Sequence, residues 1–94
     1  MFLKRAYEEF FRYHDFTSWL DTEVNLSSGE VIVKNKVSGT DVSTTMVSDV
    51  SVYQNKKIKY KIKAGASSQA YIVAIRAIDS NGQKWEDAIE CEVL

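Results

Sequence analysis

The chain holds one histidine, His14, and one cysteine, Cys91, the side chains best suited to general-base and nucleophilic work. A zinc site needs several nitrogen or sulfur ligands at close spacing, and one residue of each kind does not supply them. Cys91 alternates with Ile89 and Val93, the inner-face pattern of a strand, so it reads as a core thiol. His14 alternates with Tyr13 and Asp15 and is expected on a strand surface near a carboxylate. Asp79, Asn81 and Gly82, with Glu90 eleven residues after Asp79, resemble fragments of a calcium loop. That loop needs a third oxygen ligand before a glycine at its sixth position, whereas here the glycine is fourth and a hairpin turn explains it. Asn25-Leu26-Ser27 has the form of a glycosylation acceptor, which matters only in a secreted chain, and no glycine-rich phosphate cradle is present. No catalytic set, metal, cofactor or small-molecule substrate is therefore expected, and the chain reads as a non-enzyme.

Charge supplies the next candidates. Lys57, Lys59, Lys61 and Lys63 form one row, and Glu86, Glu90 and Glu92 form another. The lysines have two readings. One is a solvated outer face whose ammonium groups discourage edge-to-edge association. The other is a basic stripe that docks on the acidic row of the next subunit, giving head-to-tail assembly. Nucleic-acid binding is not expected, because the net charge is −1 and no aromatics interleave with the lysines along the chain. Phe2, Tyr7, Phe10 and Trp19 also have two readings, as part of this domain's own core or as an aromatic interface arm.

These rows need strands to display them. With 94 residues, 45% of them hydrophobic and 27% charged, the chain can surround one core and is expected to be a single domain over residues 1–94. Ile58, Tyr60 and Ile62 alternate with the lysines, the signature of a half-buried strand. Tyr71 to Ile78 is apolar on both sides, as in a strand at the middle of its sheet, and Trp85 to Val93 alternates again. Asp79-Ser80-Asn81-Gly82 between them is turn chemistry, so these two strands form a hairpin. Val31–Val33 and Val50–Tyr53 read as shorter strands, with a further strand suggested over Val42–Val47. At the start, Phe2, Leu3, Ala6, Tyr7 and Phe10 have helical spacing, which predicts a helical or irregular arm to about Glu9. The period changes at Phe11, predicting an opening strand that ends near Trp19-Leu20. The expected fold class is all-β: an immunoglobulin-like two-sheet sandwich of about six to eight short antiparallel strands, with a short N-terminal helical arm as an option. The N-terminus shows no signal-peptide pattern and no stretch has membrane-spanning length, so synthesis in a cytoplasm without export, and no membrane partner, are expected.

Two stretches carry a resemblance. Tyr13-His14-Asp15-Phe16-Thr17-Ser18-Trp19-Leu20-Asp21-Thr22 is similar to the opening pattern of small bacteriophage virion proteins, the fibre–tail adaptors and related head–tail components. Ala64-Gly65-Ala66-Ser67-Ser68-Gln69-Ala70-Tyr71-Ile72-Val73, followed by Asp79-Ser80-Asn81-Gly82, resembles the family's glycine-containing loop, Tyr-initiated strand and closing turn. Phe16 stands where the family pattern has Trp, and the loop carries one glycine instead of two. The resemblance spans about Phe10 to Val93, with a loosely aligned middle third. It implies a structural subunit of a phage or prophage particle, made in the host cytoplasm and present in multiple copies in the virion. Its partners would be other virion structural proteins and further copies of itself. The alternative function is an immunoglobulin-like module binding carbohydrate or protein.

Overall fold

In the computed structural model, which describes all 94 residues, the Lys-Ile-Lys-Tyr-Lys-Ile alternation forms the central strand of the smaller of two sheets. In chain order the strands are β1 (Phe2–Lys4), β2 (Phe10–Asp15), β3 (Leu26–Asn35), β4 (Val47–Tyr53), β5 (Lys57–Ile62), β6 (Ala70–Asp79) and β7 (Lys84–Val93). One sheet has the order β1-β7-β6-β3 and the other β2-β5-β4. Lettered A to G in sequence, these are C-F-G and B-E-D sheets, the strand partition of the immunoglobulin sandwich, with the first strand on the C-F-G side. No helix is long and apolar enough to cross a membrane.

Each ladder follows from its side-chain alternation. Ile58, Tyr60 and Ile62 turn inward and are buried, against Tyr71, Val73 and Ile75 of β6 and Cys91 and Val93 of β7 in one continuous core. The hairpin expected from the Asn-Gly turn is present: β6 and β7 pair from Ala70↔Glu92 to Ile78↔Lys84, and Gly82 takes φ +76° in the connection. At the β5–β6 corner, the Tyr71 hydroxyl accepts a hydrogen bond from the Ala66 amide at 3.0 Å. Tyrosine corners of this kind lock the corresponding E–F turn in immunoglobulin sandwiches.

Three expectations are corrected. The first nine residues form no helix. Phe2–Lys4 is a strand paired parallel to β7, the one departure from antiparallel order, and Arg5–Glu8 is a reverse turn closed by Glu8 N–H to the Arg5 carbonyl. The helical spacing merged two turn-tip residues, Ala6 and Tyr7, with Phe2 and Phe10, which pack on the core from either side of the turn. Pairing with β7 satisfies backbone groups that an isolated first turn of helix would leave open. Val42–Val47 does not begin a strand, because the Asp41 carboxylate accepts the Ser43 amide and hydroxyl and turns the chain into one helical turn, α1 (Ser43–Met46). The opening strand stops at Asp15, where the carboxylate accepts the Thr17 amide at 2.8 Å and starts a 3-10 turn over Thr17–Trp19.

Candidate interaction surface

The residues with chemistry in them lie apart. Cys91 is fully buried, and burial pushes its thiol up, only partly offset by the positive charges of Lys4 and Arg12. His14 reaches across the sandwich to Asp87, Nε2 to Oδ2 at 3.2 Å, and its ring meets Phe16 and Trp19 edge-on. Asp87 and Cys91 are four residues apart on β7, about 13 Å along a strand, so the imidazole and the thiol serve different places. The Asp79 carboxylate accepts three N–H groups, from Asn81, Gln83 and the Trp85 indole, at 2.8 to 3.0 Å. Burial alone would raise Asp79, but those donors outweigh it and hold the carboxyl below its usual range. Its oxygens are committed to the hairpin turn, and Glu90 pairs with Lys36 at 2.8 Å.

The acidic row is largely engaged on its own sheet. Glu86 holds Arg76 at 2.5 Å, Arg76 also approaches Glu30, and Glu90 has Lys36, which leaves Glu92 alone without an ion pair. A surface hollow of about 570 Å³ near Gly29 and Trp85 is rimmed by Glu30, Arg76 and Glu86 of this network.

The lysine row lies elsewhere than at an edge. β5 has β2 on one side and β4 on the other, so its ammonium groups cannot shield a sheet edge, and the edge-guarding reading is corrected. Lys57, Lys59 and Lys61 stand in the middle of the outer face of the small sheet, while Lys63 lies beyond the strand and donates its amide to Met46. Register fills in the neighbours. Phe11 is opposite Lys61, Tyr13 and Ser51 flank Lys59, and Asp15 and Tyr53 flank Lys57. The Lys59 ammonium lies 4.5 Å from the Phe11 ring centre and within 6 Å of Tyr13 and Tyr53. Tyr13 and Tyr53 contact each other over the strand, 4.9 Å between centroids. These rings remain accessible: Phe11 is 45%, Tyr13 49% and Tyr53 36% exposed. Aromatics therefore do interleave with the lysines, across strands instead of along the chain. Phe11, Tyr13 and Tyr53 were not among the sequence candidates; the alternation of Phe11 and Tyr13 with Arg12 was the available signal, and it lacked a register.

The four aromatic candidates separate. Phe2 and Phe10 pack edge-to-face at 6.3 Å and lean on the core, and the Arg12 guanidinium covers the Phe2 ring. Trp19 stacks edge-on between Phe16 and Trp85 and stays 38% exposed. Tyr7, 96% exposed, stands free at the β1–β2 turn. The fold and surface thus define an immunoglobulin-like sandwich whose most contact-ready region is the lysine–aromatic face of its smaller sheet. No family model matches this chain, and no curated protein matches its sequence.

Proposed function

We propose that this chain is a non-enzymatic structural subunit of a bacteriophage or prophage particle, in the tail or at the head–tail junction, that assembles through surface contacts. The observation that supports contact assembly is the face built by Phe11, Tyr13, Tyr53 and Lys59, where three accessible rings and a cation concentrate area suited to a protein partner. The resemblance of Tyr13–Thr22 and Ala64–Gly82 to phage adaptors supplies the particle. Its partners are then other virion structural proteins and further copies of itself. With Glu86 and Glu90 of the acidic row already paired to Arg76 and Lys36, only Glu92 is free to receive the lysines of a neighbour, so contact through rings and backbone is favoured over matching rows of charge.

A second reading, an immunoglobulin-like module that binds carbohydrate or protein, is favoured by the same rings, since flat accessible aromatics beside a cation also suit a sugar. Mass spectrometry of particles purified after induction of a lysogen encoding the chain separates the two. Peptides at stoichiometric, multi-copy levels are expected. Their absence from intact particles that contain the other structural proteins overturns the virion reading, and binding on a glycan array would then carry the second.

A further inference from the structure

We infer that the open edge of β2 pairs with β2 of a second copy, antiparallel and with Tyr13 at the two-fold axis, so that two three-stranded sheets become one of six strands. The four sheet edges differ in how they are closed. β1 is three residues long and runs straight into a turn. β3 is covered from Val33 to Asn35 by Thr40, Val42 and Ser43, which bond its backbone. β4 is interrupted between Ser48 and Ser51 by an irregularity, with Asp49 at φ +55°. β2 has none of these devices: six residues pair with β5 without interruption, and no strand or loop backbone bonds its outer side. An uncovered, regular edge carrying apolar side chains is a template for another strand.

The backbone direction is fixed by one hydrogen bond. Phe16 N–H donates to the Lys56 carbonyl at 2.9 Å, continuing the β2–β5 register. Alternation then turns Phe10, Arg12 and His14 toward β5, and sends the N–H and C=O groups of Phe11, Tyr13 and Asp15 outward. The residues with unpaired backbone are therefore the same ones that place accessible rings on the outer face.

The edge is self-complementary. Antiparallel pairing of β2 with itself in which Tyr13 meets Tyr13 also joins Phe11 to Asp15 and Asp15 to Phe11, so all three outward residues of each copy are paired. A shift of two residues either way leaves one of them out. Arg12 and His14 meet like partners in every register (Arg12 opposite His14 when centred, Arg12 opposite Arg12 or His14 opposite His14 when shifted), so the outward residues decide the alignment. In the centred register a row across the joined face runs Lys61, Phe11, Asp15 of the second copy, then Lys57 of that copy. Each Asp15 thus lies in a row with a lysine on either side, and the middle row places two tyrosines between two Lys59 groups. That charge order selects a second copy over an unrelated strand as the occupant. It is also a closed two-fold contact, unlike the head-to-tail stack of charged rows. The inference does not depend on the virion reading, and a dimer in solution is compatible with either function.

Sedimentation of the purified chain over a wide concentration range, with two variants, tests it. The wild type is expected to show a monomer–dimer equilibrium. Tyr13→Pro removes an outward donor from each copy while sparing the bonds to β5, and is expected to weaken dimerisation about thirtyfold with the monomer's circular dichroism unchanged. Should that variant misfold, Tyr13→Cys decides. Paired residues at this position would have Cα atoms about 5.5 Å apart, inside the range a disulfide spans. Mild oxidation is expected to give a covalent dimer for Tyr13→Cys and none for Ser51→Cys on the other edge strand, β4. A wild type that stays monomeric at the highest concentration, or a dimer whose cross-linking is equal at the two positions, overturns the inference.

Discussion

At Gly29 the two sheets approach too closely for a side chain, and replacing it with alanine tests whether that approach is fixed. It lies in β3 opposite Ala77, and its missing side chain would point across the sandwich at Ile58 of β5. A Cβ there would overlap Ile58 Cδ1 and stand 3.2 and 3.3 Å from Cγ1 and Cγ2. Removing a glycine from a strand returns about 0.5–1 kcal/mol, while overpacking a core position costs about 1–3 kcal/mol. Gly29→Ala is therefore expected to destabilise the domain by about 1–2 kcal/mol. Ile58→Val alone deletes the offending methyl and costs about 0.5–1.5 kcal/mol for lost burial. Together they relieve each other, because the remaining contacts need only a few tenths of an ångström of movement. The double variant should then be no less stable than Ile58→Val, a favourable coupling of about 1 kcal/mol or more. Urea unfolding followed by tryptophan fluorescence measures all four corners of the cycle, with thermal melting as a second reading at about 4–8 °C per kcal/mol. Losses that add to within about 0.5 kcal/mol would show that the sheets separate freely at this point, and the close-approach reasoning would be wrong.

Two more outcomes follow from single side chains. Tyr71→Phe deletes the acceptor of the Ala66 amide in a corner where Ala64, Gly65 and Ser68 all have positive φ, so it should cost about 1–2 kcal/mol and speed exchange of the Ala66 amide proton. Unchanged melting and unchanged exchange would remove the hydroxyl as the corner's lock. Asp79 is held below its usual carboxylate range in the folded state, so its contribution is present above the unfolded value of about 3.9 and lost as pH falls through the lower folded value. The melting gap between wild type and Asp79→Asn should therefore be constant near neutrality and close progressively below about pH 4. A gap that persists undiminished to the acid limit would show that the carboxylate's charge is not what the Trp85, Gln83 and Asn81 donors hold.

Where a pattern is local, it was readable. The lysine alternation fixed both faces of β5, and the Asn-Gly turn between apolar runs fixed the β6–β7 hairpin, because both signals lie within a few residues. Cys91 as a core thiol followed from the same alternation. What failed to show depends on partners far along the chain. Phe2–Lys4 is a strand only because β7 offers it an edge, and three residues carry too little periodicity to announce that. Leu26–Asn35 is longer than the Val31–Val33 run because β6 pairs with Leu26, Ser28, Gly29 and Glu30 as well as the valines. The aromatic–lysine face was hidden for the same reason: Phe11, Tyr13 and Tyr53 meet Lys59 through the register of three strands, information absent from any one segment.

That register also changes what the lysines are for. On an edge strand they would repel an incoming chain; on the central strand Lys59, and more distantly Lys61, sits over rings, where the ammonium keeps an apolar face wetted without covering it. The strand beside them, β2, is left with outward backbone groups and no guard. Two properties that usually oppose each other are thus divided between adjacent strands, solubility carried by β5 and the capacity to pair carried by β2. A surface arranged in that way favours a partner that can satisfy backbone groups in register over one attracted by charge alone, since Lys59 and Lys61 already have rings and Glu86 and Glu90 already have Arg76 and Lys36.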